Sequence, residues 1–207
     1  RGVRGQGSEG GDRRAAAPSR RGRDVTVRQQ LTAVGVVIGV LAVAAFALVR
    51  WNSNEIFLVG LGSKAPDFHA WTVDGARHDQ SLDAYRGSVV VLNVWATWCP
   101  PCVVEMPAIQ RLYQDLGPQG LKVIAVSIDT EATDSAVRAF ATKRGLTFDI
   151  LRDSANRITG QYQTTGVPET FVIGRDGIIR KKVIGASDWD SPGDRALVTQ
   201  LLREPAS

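Results

Sequence analysis

The chain has 207 residues, of which 43% are hydrophobic and 7% aromatic, which suits one ordinary globular domain with additional segments. The formal net charge of +4 arises at the N-terminus, because residues 1–30 hold eight Arg and three acidic residues. The rest of the chain is nearly neutral, with 17 basic and 18 acidic residues. It lacks the excess of positive charge that typifies nucleic-acid-binding domains, so we expect no nucleic-acid partner.

Residues 1–30 are rich in Gly, Arg, Ser and Ala and offer few apolar side chains to a core. This composition predicts a disordered basic tail. The next segment, residues 31–50, contains 19 uncharged residues from Leu31 to Val49. As a helix rising about 1.5 Å per residue, this stretch would span about 28 Å, close to the thickness of the hydrocarbon layer of a membrane.

We predict that residues 31–50 form an uncleaved, single-pass membrane anchor. A buried core helix is disfavoured because the segment has no amphipathic stripe. A cleaved signal peptide is disfavoured because Arg50-Trp51 follows instead of a small-residue cleavage site. Eight Arg precede the anchor, whereas Arg50 and Lys64 are the nearest basic residues after it. The positive side of an anchor stays in the cytoplasm, so the N-terminus is predicted to be cytoplasmic and the remaining chain periplasmic or on the outer face.

The pattern after the anchor predicts a tether at residues 51–63 and one folded domain at residues 64–203. A β-hairpin is expected around Asp74-Gly75, because Asp-Gly between two extended segments favours a tight turn. Further elements are expected in this order: a buried strand at 88–95, a helix after Cys102, a strand at 121–128, a helix at 133–144, a short strand at 148–151, a helical turn at 155–162, two strands around Asp176-Gly177, and a helix opened by Ser191-Pro192. This order predicts an α/β sandwich.

The two cysteines of the chain, Cys99 and Cys102, form a Cys-x-x-Cys pair at the predicted junction of a strand and a helix. Unpaired N–H groups and the helix dipole lower the pKa of a thiol at this point, so we assign Cys99 as the nucleophile and Cys102 as the resolving thiol. Lowering a thiol pKa from about 8.5 to about 7 raises the thiolate fraction at pH 7 from about 3% to about 50%. Pro100 and Pro101 suit the first helical turn, where N–H groups stay unpaired anyway.

A structural staple or a zinc site is the alternative for this pair. A ring this short contributes roughly 2 kcal/mol by chain entropy, which is little for a staple. Zinc normally takes four ligands, and the chain offers only His69 and His78 besides the two thiols. We therefore predict a redox-active disulfide Cys99–Cys102, with no metal and no cofactor beyond the dithiol.

Three motifs resemble the TlpA/ResA/DsbE-like branch of the thioredoxin superfamily. They are residues 94–102 together with Glu105-Met106-Pro107, residues 166–173 and the Asp176-Gly177 turn. The resemblance runs from about residue 64 to about residue 202. It implies a thioredoxin-like sandwich with an N-terminal β-hairpin extension, preceded by one transmembrane helix.

The resemblance also implies roles for individual residues. The peptide bond before Pro168 is expected to be cis and to lie beside the cysteine pair, where a free backbone edge could receive a substrate segment. Glu169 is expected to help select the substrate. The residues expected to bind substrate are Trp98, Pro100, Pro101, Val167, Pro168 and Glu169.

Proton handling is implied to involve Glu105, three residues after Cys102, where this branch carries an acidic group. Thioredoxin itself has a buried Asp six residues before its first active cysteine, and this chain has Asn93 there, which cannot ionise. Glu105 is then the nearest candidate for tuning the thiol pKa. Trp95, Phe171 and Tyr113 are expected in the core.

The function implied by the resemblance is reduction of the haem-site disulfide of apocytochrome c during cytochrome c maturation. A membrane electron donor of the CcdA/DsbD type would supply the electrons. One alternative is a disulfide reductase or oxidase for other extracytoplasmic clients. A different class of function, a redox-silent accessory subunit of a membrane complex, is disfavoured by the intact cysteine pair. A peroxidase is disfavoured because the chain lacks a Pro-x-x-x-Thr-x-x-Cys pattern.

Overall fold

The computed structural model describes residues 27–51, 58–130 and 134–205. Contacts divide the chain into two compact units after Trp51. The first unit contains a single described helix, α1 (Val27–Trp51). Residues 1–26 of the predicted tail and residues 52–57 of the predicted tether lie outside the described residues.

Helix α1 contains a stretch, Gln29–Leu48, that is long and apolar enough to cross a membrane. Its large apolar side chains are exposed, whereas those of a core helix in a soluble protein are mostly buried. Length and composition fit a membrane anchor, and a signal sequence would meet the same criterion. The helix begins at Val27, so residues 27–30 are helical and do not belong to the predicted disordered tail.

The second unit is an α/β sandwich, as predicted. Two short 3₁₀ turns, Leu82–Tyr85 and Gly117–Gln119, supplement its helices and strands. In the described part of this unit the strands are β1 (His69–Thr72), β2 (Asp79–Ser81), β3 (Val89–Trp95), β4 (Leu121–Ser127), β5 (Asp149–Arg152), β6 (Glu169–Ile173) and β7 (Ile179–Ile184). The helices are α2 (Pro100–Leu116), α3 (Asp134–Lys143), α4 (Arg157–Gln161) and α5 (Pro192–Arg203).

These strands form one mixed sheet in the order β2-β1-β5-β4-β3-β6-β7. The neighbours β3, β4 and β5 are parallel, as expected for strands joined through helices α2 and α3. Strand β6 pairs antiparallel with β3, and β7 pairs antiparallel with β6. The predicted N-terminal hairpin is confirmed, and its strand β1 adds to the sheet antiparallel to β5.

Strand β3 lies inside the sheet, between β4 and β6, and all seven of its residues are buried. A nearly continuous apolar strand is what burial on both faces requires. One core layer contains Met106, Ile109 and Leu112 of α2 and Val198 of α5. The other core layer contains Ile158 of α4 with Phe68, Leu82, Tyr85, Tyr162 and Phe171. Two of the three expected core aromatics, Trp95 and Phe171, are fully buried, whereas Tyr113 is only partly buried and packs against Phe148.

Residues 58–63 correct the predicted tether, because they pack onto the folded domain. Val59 is buried, and its N–H donates to Gln163 Oε1 at 3.1 Å. Gly62 and Ser63 exchange backbone hydrogen bonds of 2.8 and 2.9 Å with Ile179 of β7. The burial of Val59 and the hydrogen bonds to the edge strand β7 make residues 58–63 part of the folded domain. The domain therefore begins before residue 64.

Candidate active site

The reactive cysteine pair lies where β3 ends and α2 begins. Cys99 is the N-cap residue of α2, and its sulfur accepts a hydrogen bond from the Cys102 N–H at 3.3 Å. Pro100 and Pro101 follow as the first two helical residues, as predicted. Because the start of a helix presents unpaired N–H groups and positive dipole charge, this position stabilises a thiolate on Cys99.

Cys99 and Cys102 form a disulfide with an S–S distance of 2.05 Å and a Cα–Cα distance of 5.3 Å. Cys102 is fully buried, whereas 3% of Cys99 is exposed. Cys99 is the slightly more accessible of the two, and its assignment as nucleophile, with Cys102 as resolving thiol, stays a prediction.

A loop before β6 lies against the Cys99 sulfur. The Val167–Pro168 peptide bond is cis, as the family resemblance implied. The Val167 carbonyl oxygen lies 3.6 Å from the Cys99 sulfur. Pro168 is buried and Val167 is half-buried, so the loop places backbone polar groups beside the reactive bond.

Glu105 lies on the second turn of α2, three residues after Cys102, and is 3% exposed. Its carboxyl oxygens accept hydrogen bonds from Asn93 Nδ2 at 2.8 Å and from the Ser187 N–H at 3.1 Å. Burial raises the pKa of Glu105 above its ordinary value, while hydrogen bonds from Ser187, Asn93 and Trp189 act in the opposite direction. The carboxyl group of Glu105 therefore holds its proton more tightly than an exposed glutamate does.

Comparisons with known proteins agree with this geometry. The AhpC/TSA family model matches residues 61–182. The thiol-disulfide oxidoreductase ResA of Geobacillus thermodenitrificans strain NG80-2 is 35% identical over 160 residues, covering 76% of this chain and 90% of the relative. The thioredoxin-like protein YneN of Bacillus subtilis strain 168 is 35% identical over 153 residues, covering 71% of this chain and 88% of YneN. The crystal structure of StoA from Bacillus subtilis matches with a TM-score of 0.53 at 25% identity, over 66% of this chain and 96% of StoA.

The chain belongs to the AhpC/TSA family, among its ResA-type thiol–disulfide oxidoreductases. The predicted thioredoxin-like fold and the predicted enzyme class are thereby confirmed. The Cys99–Cys102 disulfide is the redox centre that this class of enzyme requires. Among the residues that the structure describes, no group of three or more His, Cys, Asp or Glu is placed to hold a metal ion.

The surface around the disulfide of this oxidoreductase is apolar. Trp98 is 64% exposed, and Pro100 and Pro101 are also exposed beside it. Val104, one turn further along α2, is exposed as well. These residues are accessible to a client protein, and their role in binding it stays a prediction.

Glu169 lies in the interior of the domain, whereas a residue that contacts substrate should be at the surface. Its side chain is fully buried, and Oε1 lies 2.9 Å from the Lys182 ammonium group of β7. Oε2 accepts a hydrogen bond from the Thr165 N–H at 2.9 Å. With no exposed surface, Glu169 cannot touch a client in this conformation, so the expected direct contact does not fit the structure. Glu169 instead ties the cis-proline loop to β7.

Sequence reasoning missed three residues that hold the site: Lys182, Ser187 and Asp129. Lys182 and Ser187 reach Glu169 and Glu105 from β7 and the loop after it, at sequence distances of 13 and 82 residues. No local pattern predicts such contacts. Asp129 could have been found, because it follows β4 just as Thr97 follows the parallel neighbour β3, and polar residues after adjacent parallel strands meet at one edge of the sheet.

Proposed function

We propose that this oxidoreductase reduces the haem-site disulfide of apocytochrome c outside the cytoplasm, in cytochrome c maturation. The observation that carries the proposal is the placement of Cys99. Its sulfur lies at a helix start, next to the Val167 carbonyl and among exposed apolar residues. This arrangement suits attack on a disulfide in an extended protein segment rather than on a small buried ligand.

The reduced enzyme transfers two electrons to the client in two exchange steps. The Cys99 thiolate attacks one client sulfur, so a Cys99–client disulfide forms, the client disulfide breaks, and one client thiolate leaves. The Cys102 thiolate then attacks the Cys99 sulfur, which restores the Cys99–Cys102 disulfide and releases the second client thiolate. Both client thiolates take up protons, and the enzyme is oxidised by two electrons.

Glu105 is proposed to assist the second step. Cys102 is fully buried, and a thiol without water around it needs a nearby proton acceptor before it can attack. Glu105 lies one helical turn from Cys102, and its carboxyl group is buried. Asn93 donates a hydrogen bond to this carboxyl group but cannot itself ionise. Burial raises the pKa of Glu105, which makes its carboxylate a stronger proton acceptor than that of an exposed glutamate.

The client segment is proposed to lie along Trp98, Pro100 and Pro101 and beside the backbone of Val167 and Pro168. Helix α1 would anchor the enzyme with its N-terminus in the cytoplasm, because the Arg residues precede it. An enzyme that acts as a reductant in an oxidising compartment must be reduced again after each turnover. A membrane dithiol donor of the CcdA/DsbD type is proposed for that step.

A trapping experiment tests this function. In Cys102→Ser the second step cannot occur, so the Cys99–client disulfide persists and can be isolated from membranes and identified by mass spectrometry. We expect a c-type apocytochrome linked through a cysteine of its haem-binding segment. Cys99→Ser/Cys102→Ser is the control and should capture nothing. Adducts with other proteins only would contradict the proposed client.

The reduction potential of the Cys99–Cys102 pair tests the proposed direction of electron flow. A reductant must have a potential well below that of strongly oxidising disulfides, which is about −120 mV. The potential is measured by equilibrating the protein with glutathione or dithiothreitol buffers. A value as high as that of the strong oxidants would mean that the enzyme oxidises its clients.

A further inference from the structure

A buried carboxylate holds the loop that precedes the reactive cysteine. Asp129 follows β4 and is 2% exposed. Its Oδ1 accepts a hydrogen bond from Thr97 Oγ1 at 2.6 Å, and its Oδ2 accepts one from the Thr97 N–H at 3.1 Å. Thr97 is two residues before Cys99, in a turn closed by a 3.2 Å hydrogen bond from the Cys99 N–H to the Ala96 carbonyl.

Asp129 is itself held in place by two further residues. The Ser127 hydroxyl donates to Asp129 Oδ2 at 2.6 Å and accepts from the Asp129 N–H at 3.2 Å. Arg152 Nε donates to the Asp129 carbonyl oxygen at 3.2 Å. Strands β3 and β4 are in register, with Trp95 opposite Ser127, so the sheet brings the two loops together. These contacts hold the Asp129 carboxylate in place, and the carboxylate in turn holds the turn before Cys99.

We propose that Asp129 is a positioning residue for thiol–disulfide exchange, and that it acts through Thr97. By fixing Thr97, it sets the four-residue turn that places Cys99 at the start of α2 and Trp98 on the exposed rim. Hydrogen bonds to an ionised group are stronger than hydrogen bonds between neutral groups. Because the carboxylate is buried, water does not compete for these bonds. Exchange depends on accurate approach of the attacking sulfur, so a small displacement of this turn slows it. The inference concerns the same cysteine as the proposed function but does not depend on which client is reduced.

The same substitution at two threonines separates positioning from stability. Thr97→Val removes the hydroxyl that reaches from the active-site turn, at nearly constant volume. Thr72→Val is the matched control, because the buried Thr72 hydroxyl also donates to a carboxylate, that of Asp74, at 2.8 Å, but lies on β1, which β5 and β4 separate from β3. Thr97→Ser keeps the hydroxyl and should restore function.

The measurement uses the full chain in detergent, reduced beforehand and freed of reductant. The second-order rate constant is measured for its reaction with 5,5′-dithiobis(2-nitrobenzoate), which takes two electrons from the dithiol and releases two coloured thiolates. Thermal midpoints are recorded for the same samples. We expect Thr97→Val to lower the rate constant about fivefold, Thr72→Val to stay within about twofold of the wild type, and Thr97→Ser to match the wild type.

A wild-type rate constant for Thr97→Val would overturn the assignment. Equal losses of rate in Thr97→Val and Thr72→Val would also overturn it, because the effect would then follow general destabilisation. Similar thermal midpoints with different rate constants for these two variants support positioning. Because the probe is a small disulfide, its result is independent of the client that the trapping experiment identifies.

Discussion

At the scale of single residues, the environment of Glu105 differs from that of an ordinary helix glutamate. It is buried beside the redox centre and contacts Asn93 and the backbone of Ser187. Position after a Cys-x-x-Cys pair suggested a role for this residue, but the sequence could not show that its carboxyl group is buried. The donor from Ser187 comes from a loop far along the chain, and its approach depends on the packing of α5 against the sheet.

Stability should depend on pH through Glu105. Burial raises the pKa of its carboxyl group above 4.5, so the folded protein holds this proton more tightly than the unfolded chain does. The contribution is favourable at low pH and is lost as the pH rises from about 4.5 through the raised pKa. In Glu105→Gln this loss is absent, so the free energy of unfolding of the variant relative to the wild type should increase with pH.

The measurement is urea unfolding of the oxidised, detergent-solubilised protein from about pH 4 to about pH 8, followed by tryptophan fluorescence. The difference between Glu105→Gln and wild type is the quantity to plot, because other titrating groups cancel in it. A difference that stays constant across this range would show that Glu105 titrates as it does in the unfolded chain.

At the scale of secondary structure, the elements with local signals were predicted well. The Asp176-Gly177 turn joins β6 and β7, with Gly177 at a φ of 77°, a conformation that glycine adopts without steric cost. Ser191 caps α5 by accepting from the Asp194 N–H, and Pro192 is its first helical residue. In both cases, the residues that specify the turn or the start of the helix lie within that turn or at that helix end.

Contacts between distant segments had no such signal. The pairing of β1 with β5, and the packing of residues 58–63 along β7, join segments separated by about 80 and 115 residues in sequence. Glu169 illustrates the consequence for the site. Its sequence neighbours suggest an exposed residue near the substrate, whereas Lys182 on the adjacent strand allows its charge to be buried.

The Glu169–Lys182 pair should be a strong link between β6 and β7. Lys182→Met leaves a fully buried carboxylate without its cation, and such losses cost about 3 kcal/mol of unfolding free energy. Glu169→Gln/Lys182→Met removes the unpaired charge and should recover part of that loss. Lys122→Met, at an exposed position on β4, is the control and should change stability by less than about 0.5 kcal/mol.

Urea unfolding of the three variants measures these differences. Loss of the same size in Lys182→Met and Lys122→Met would show that the ion pair adds nothing to the sheet. Loss in the double variant equal to that in Lys182→Met would show that the cost arises from packing of the lysine stem and not from the unpaired carboxylate.

At the scale of the whole molecule, the chain combines an exposed apolar helix with a redox domain. Helix α1 presents Leu41, Val43 and Phe46 to its surroundings with at least 62% of each exposed. A surface so apolar is stable in lipid and unfavourable in water. A membrane anchor accounts for this apolar helix, and the side of the membrane on which the redox domain lies stays a prediction.

The proposed orientation is testable with cysteine reporters in a Cys99→Ser/Cys102→Ser background. Ser154→Cys places a reporter at an exposed position of the redox domain, and Ser8→Cys places one before the anchor. A membrane-impermeant maleimide should label Ser154→Cys in intact cells and Ser8→Cys only after permeabilisation. The opposite pattern would place the redox domain in the cytoplasm. In the cytoplasm the reducing glutathione pool would keep haem-site cysteines reduced without this enzyme. This result would therefore contradict the proposed function as well as the proposed orientation.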